Sequence, residues 1–178
     1  MKWPHILDQA RGHRYATEED IRNIFADYHD TLHWLAGFLI GEELAPACVV
    51  DACTIAQSQT AIFHHWLVHW AARATLHCAL QRQHAEIVKL ASVHEGLKPV
   101  HTAQSPLSPA DLQLLIERSD LLRARLDILC RFVLILCGIA KESGEEAAEL
   151  LGISRIAVEH AYGVALQALA DVRTNHRC

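Results

Sequence analysis

Between residues 18 and 172 the apolar side chains of this chain recur at steps of three and four, and no stretch alternates apolar and polar at a step of two. The first spacing lays side chains along one face of a helix, and the second would lay them along one face of a strand. The chain is therefore expected to be all-α. Ile21, Ile24, Phe25, Tyr28, Leu32, Leu35, Ala36 and Leu39 form one such face. Thr17-Glu18-Glu19-Asp20 precedes it, a hydroxyl cap followed by acids at the positive end of the helix, and Gly41 is expected to end the helix. Pro46 opens a second helix, where its missing N–H costs nothing, and residues 48–62 continue it. Phe63, Trp66, Leu67, Trp70, Ala71, Ala74 and Cys78 form the stripe of the longest periodic stretch, residues 63–94.

The helical pattern is interrupted once at length. Residues 96–108 carry Pro99 and Pro106, with Pro109 next to them, and read as a linker between two small helical units. The expected organisation is an N-terminal arm at 1–16, a helical domain at 17–95, the linker at 96–108 and a second helical domain at 109–178. Ser108-Pro109-Ala110-Asp111 restarts a helix with a cap and a proline in its first turn. Residues 121–137 read as one buried helix. Ser143-Gly144-Glu145-Glu146 is a capping box, Gly152 a helix stop, and Ser154 the cap of a last helix running to about Val172.

Composition narrows the possible partners. Hydrophobic residues make up 51% of the 178, enough for a core. Every apolar run is nevertheless broken by His, Arg, Asp or Glu before the roughly 20 residues that a membrane span requires. The N-terminus shows no charged segment followed by an apolar one and a small-residue cleavage site, so a soluble, cytoplasmic protein is expected. Six cysteines without a CxxC pair fit reduced thiols packed in a core. The net charge is −5. Residues 1–90 carry 7 basic and 10 acidic side chains, and residues 105–178 carry 8 and 10. Neither region is the cationic module that a phosphate backbone attracts.

The most informative motif spans residues 143–169. A short helix ends in Leu151-Gly152-Ile153-Ser154 and a second follows at once, with Ala148 small enough for close approach and Ile153 and Val158 placed to pin the second helix. That is a helix-turn-helix. In its context the segment from 126 to 165 resembles the C-terminal promoter-reading region of bacterial extracytoplasmic-function sigma factors, whose pattern runs G-L-S-x-x-E-I-A-E-L-L-G-I-S-x-x-T-V-K. Ser143, Glu146, Ala148, Glu149, Leu150, Leu151, Gly152, Ile153, Ser154 and Val158 stand in matching places, and Arg131 falls where the family tends to carry an arginine. Residues 25–41 are similar in pattern to the first helix of the family's other conserved region, which binds core polymerase and melts the −10 element. Trp66-Leu67, Ala71 and Leu76 are similar to its A-W-L-x-x-I-A-R-N-L-A stretch. The resemblance covers roughly residues 18–85 and 108–170. It implies two helical units, a region 2-like bundle and a region 4-like helix-turn-helix. It also implies core RNA polymerase as a partner and an anti-sigma or other protein as a further one, with promoter DNA bound weakly or not at all given the charge inventory.

The chain departs from the family where function resides. In the last helix the usual Thr is Ala157, the usual Lys is Glu159, and the usual Arg positions are Ala161, Val164 and Leu166. Arg155 is the remaining base-reading cation; with Glu159 and His160 it forms the expected duplex-reading set, whose grip on the −35 element is weakened by the carboxylate. In the first unit, Trp70, Arg73 and Arg82 are the candidates for holding single-stranded DNA by stacking and charge, although the place of Trp70 on the apolar stripe favours a core role for it. The family's acidic polymerase-binding segment corresponds to residues 47–53, with Ala47, Val50 and Asp51 as the contacts to test. Only Asp51 keeps an acid there.

Thirteen histidines are present. His29 and His33, and His65 and His69 with His64 adjacent, have the i, i+4 spacing that can chelate a metal. Without HExxH or a third ligand at fixed spacing they read as surface replacements, and neither a metal site nor a cofactor is expected. Glycine-rich phosphate loops, GxSxG and paired catalytic carboxylates are lacking; Asp127 and Glu117 read as solvated or capping residues, and no enzymatic activity is expected. The expected function is that of a sigma factor-like regulator with weakened or altered promoter recognition. The alternatives are a protein-interaction module that kept the fold but not the DNA binding, and a His/Cys metal-sensing helical protein.

Overall fold

The computed structural model describes residues 15–58, 62–97 and 107–175. The protein is all-α: among these residues there is no strand, only an isolated bridge between Tyr15 and Phe63. The helices are α1 (Glu18–Asp27), α2 (His29–Ile40), α3 (Ala45–Ser58), α4 (Leu67–Glu95), α5 (Pro109–Glu117), α6 (Ser119–Arg125), α7 (Ile128–Val133), α8 (Gly144–Leu151) and α9 (Arg155–Asn175). No described helix is long and apolar enough to cross a membrane. The chain divides into two compact units, Met1–Arg82 and Gln83–Cys178. The division falls inside α4, ahead of the expected linker, because Ile87, Ala91 and His94 on the last turns of α4 are buried. Most of the expected linker and arm (98–106 and 1–14) lies outside the described residues.

In the first unit, α1, α2 and α3 pack on one another. Thr17 and Asp20 form a reciprocal cap: the Asp20 N–H donates to Thr17 Oγ1 at 3.1 Å, and the Thr17 N–H to Asp20 Oδ2 at 2.9 Å. The single helix expected over this stretch is two, α1 and α2, separated by Tyr28 at φ −107°, ψ 15°. Helical bonds still bracket that residue, from Tyr28 N–H to the Ile24 carbonyl and from Leu32 N–H to the Tyr28 carbonyl, so the apolar face runs on through the break. Gly41, at φ 97°, ends α2 in a conformation that a side chain would oppose. The expected stripe of residues 63–78 is narrower than its sequence suggests. Leu67, Ala71, Ala74 and Cys78 are buried, while Phe63 and Trp66 are exposed. Those two precede α4, Trp66 in a single 3₁₀ turn (His64–Trp66), so the helical period does not carry them inward.

In the second unit α9 packs along α7 and α8 and touches α5 and α6. The long buried helix expected at 121–137 is interrupted. Leu126 is extended, Asp127 caps α7 by accepting the Cys130 N–H at 2.8 Å, and α7 continues from Leu134 to Ile139 as a π-helical turn. Leu129, Phe132, Val133 and Leu134 within it are fully buried. The capping boxes and caps read from sequence are present at Ser108 and at Ser143–Glu146. All described cysteines are free thiols.

Candidate nucleic-acid and polymerase surfaces

The helix-turn-helix is built by local geometry. The Ser143–Glu146 box starts α8, and Gly152 ends it in the left-handed region at φ 67°, ψ 35°, so that the Ile153 N–H returns to the Ala148 carbonyl at 3.1 Å. Ser154 then caps α9 through the Ala157 N–H at 3.2 Å. Ala157, Val158, Ala161, Tyr162, Ala165 and Leu169 are buried along one side of α9. What remains for solvent at its N-terminal end is Arg155, Ile156 and part of Glu159. Arg155 donates its Nε–H to Glu159 Oε1 at 2.7 Å across one turn. The guanidinium is thus partly neutralised by a carboxylate on its own helix.

His160 departs from its expected place on the reading face. It is 6% exposed, and its Nδ1 lies 2.8 Å from Nδ1 of His94. Position 160 stands three residues after Ala157 and one before Ala161, at the edge of the arc that α9 turns into its unit. Burial pushes the His160 imidazole below its ordinary pKa, with His94 adding to the effect. It does not stand with Arg155 and Glu159 on the solvent face of α9.

In the first unit Tyr15, Phe63, His65, Trp66 and His69 form an exposed ladder of rings. Tyr15 stacks on Phe63 with ring centroids 4.9 Å apart, Phe63 on His65 at 5.7 Å, His65 meets Trp66 at 5.6 Å, and Trp66 meets His69 at 5.9 Å. Trp66 is 54% exposed. Trp70, chosen from sequence as the stacking residue, is half-buried, and its Nε1 is buried without a hydrogen-bond partner. Trp66, which sequence periodicity assigned to the core stripe, is thus the more exposed of the two tryptophans. Arg73 is exposed on α4. Arg82 makes a short ion pair with Asp51, joining an expected DNA contact to an expected polymerase contact.

Ala47, Val50 and Asp51 share the exposed face of α3, at spacings of three and four, while Cys48, Val49, Ala52 and Ala56 turn inward. Val50 is 64% exposed. The i, i+4 histidines do not converge on a third ligand. His29 Nδ1 lies 3.4 Å from Asp30, His33 Nδ1 lies 3.7 Å from Glu42, and His65 and His69 belong to the aromatic ladder. Among the described residues, the one group of three side chains able to share a metal ion is His94, Asp127 and Cys130. Neither periodicity nor i, i+4 spacing points to it. No protein-family model, curated protein or solved structure matches the chain.

Proposed function

We propose that the chain is a sigma factor-like transcription regulator that engages core RNA polymerase and grips duplex promoter DNA weakly. The observation that carries the reading is the α8–Gly152–α9 helix-turn-helix, whose solvent end presents Arg155 already bonded to Glu159. Such a helix can enter a major groove, but it brings no net positive charge at its first turn and meets phosphate oxygens with a carboxylate. The exposed face of α3 at Ala47, Val50 and Asp51 is the polymerase contact, and the ladder through Phe63, His65, Trp66 and His69 is the surface for unpaired bases.

The test is capture of purified bacterial core RNA polymerase by the full-length protein, followed by run-off transcription on genomic fragments. Capture that Val50→Arg abolishes supports the reading, and transcripts would add an unusual promoter preference. Absence of capture removes it. The second reading, a protein-interaction module, is favoured by Leu150 and Ile156, which stand exposed on either side of the turn in the helix-turn-helix. Self-association lost in Ile156→Glu, together with no polymerase capture, would put that reading first.

A further inference from the structure

We propose that His94, Asp127 and Cys130 form a binding site for one zinc-class divalent metal ion, with His160 orienting the His94 ring from behind. His94 sits on the last turn of α4, and Asp127 and Cys130 are the cap and the third residue of α7. All four side chains belong to the second compact unit. The Asp127 carboxylate is held by its capping role: Oδ1 accepts the Cys130 N–H at 2.8 Å, which leaves Oδ2 facing His94 Nε2 at 2.9 Å. One ligand atom from each of the three residues lies within 4.8 Å of the others. Bonds of about 2.0–2.3 Å to a tetrahedral zinc place ligand atoms about 3.3–3.8 Å apart, so closing on an ion asks for movements of about 1 Å or less.

The donor set suits a borderline-soft ion. Imidazole nitrogen, carboxylate oxygen and thiolate sulfur are all zinc ligands, whereas calcium and magnesium favour oxygen alone. His94 and Cys130 are almost fully buried, while the Asp127 side chain is 34% exposed. An ion therefore has a route from solvent, and a water molecule can complete the fourth position. Arg131, one turn along α7, donates its Nε–H to the Asp127 carbonyl at 3.4 Å and is the nearby charge that opposes a cation. The Asp127 carboxylate and the Cys130 thiolate together place two negative charges against it.

His160 supplies the outer contact that metal-bound histidines ordinarily have. Without an ion, the Asp127 carboxylate can only accept, so His94 donates from Nε2, which leaves its Nδ1 as the acceptor for His160 Nδ1–H. With an ion on Nε2, the His94 proton resides on Nδ1 and is donated to His160 Nδ1, while the proton that His160 carried on Nδ1 is exchanged through solvent to its own Nε2. The Cys130 thiol proton leaves to solvent as the sulfur binds. The 2.8 Å contact between the two rings survives the change with its direction reversed. None of this uses the exposed histidine pairs that the sequence emphasises.

The experiment is a titration of metal-free, full-length protein with cobalt(II), followed by displacement with zinc(II). One equivalent is expected, with visible ligand-field bands and a near-ultraviolet thiolate-to-cobalt band that zinc removes. Cys130→Ser should lose the thiolate band. Asp127→Asn, which keeps a capping side chain, should bind at least about tenfold more weakly while retaining the helical circular dichroism of the parent. Cys53→Ser and His65→Gln should bind as the parent does. Failure to bind cobalt, or a thiolate band that persists in Cys130→Ser, would overturn the proposal. So would affinity unchanged in Asp127→Asn, because the ion would then lie elsewhere.

Discussion

Arg155 Nε donates to Glu159 Oε1 at 2.7 Å across the first turn of α9, so this cation at the tip of the helix-turn-helix is held by its own helix. The hydrogen bond and the carboxylate charge push the Arg155 guanidinium pKa above its ordinary value. Both side chains face solvent, where water and salt screen an i, i+4 pair and leave it little effect on folding. The pair therefore contributes little to stability.

Glu159→Lys removes the partner and adds a second positive charge beside Arg155. Elution from heparin is expected to move to higher salt. The slope of log K against log salt on duplex DNA should steepen by about 0.9 for each additional phosphate that the helix neutralises. Thermal stability should change little. An unaltered elution position would mean that this end of α9 does not face nucleic acid.

Trp66 and Trp70 should separate cleanly. Trp66 is the exposed ring of the ladder, so Trp66→Ala is expected to weaken binding of a single-stranded oligonucleotide by about 1–3 kcal/mol. Trp70→Phe removes a buried N–H that has no partner. It should leave oligonucleotide affinity unchanged and be neutral, or stabilising by up to about 1 kcal/mol, in urea unfolding. Equal losses of affinity in both variants would show that the sequence-based choice of Trp70 was sound.

Gly138 is required by close approach. A Cβ there would stand 2.9 Å from Leu107 Cγ and 3.0 Å from its Cδ1, and the Leu107 N–H already donates to the Gly138 carbonyl at 3.2 Å. Gly138→Ala is expected to destabilise by about 1–3 kcal/mol through overpacking. Leu107→Ala removes the obstructing atoms, so the double variant should lose less than the sum of the two single losses, as a double-mutant cycle in urea would reveal.

The Ser143–Glu146 box predicts a pH dependence. The Ser143 N–H donates to Glu146 Oε2 at 2.7 Å, and bonds from the Ser143 backbone and side chain hold the Glu146 carboxyl below its ordinary pKa. A carboxyl depressed in the folded state contributes stability that is fully present above its unfolded pKa of about 4.3 and is lost as pH falls through the lower folded value. Glu146→Gln keeps a capping partner without the charge. Parent and variant should therefore converge in stability as the pH is lowered from about 6 toward about 3. A constant difference across that range would show that the carboxylate charge adds nothing.

The caps of this fold were legible because they are local. Thr17 with Asp20, Ser108 with Asp111 and Ser143 with Glu146 each act over three residues, and Gly152 answers a backbone requirement at a single position. The all-α class was legible too, since a period of three to four has only one regular backbone that satisfies it. The interruption at Leu126–Asp127 was hidden because Leu122, Leu126, Leu129 and Val133 keep steps of three and four straight across it, so the apolar period gives no sign of the break. The family resemblance put His160 on the reading face and periodicity put Trp66 in the core stripe, whereas α9 turns His160 inward and Trp66 lies in the 3₁₀ turn ahead of α4. His94 is separated from Asp127 by 33 residues and from His160 by 66, and only the packing of α4, α7 and α9 brings them within hydrogen-bond reach. Local backbone chemistry is written in neighbouring residues, whereas a site assembled from three helices exists only once their apolar faces have been buried together.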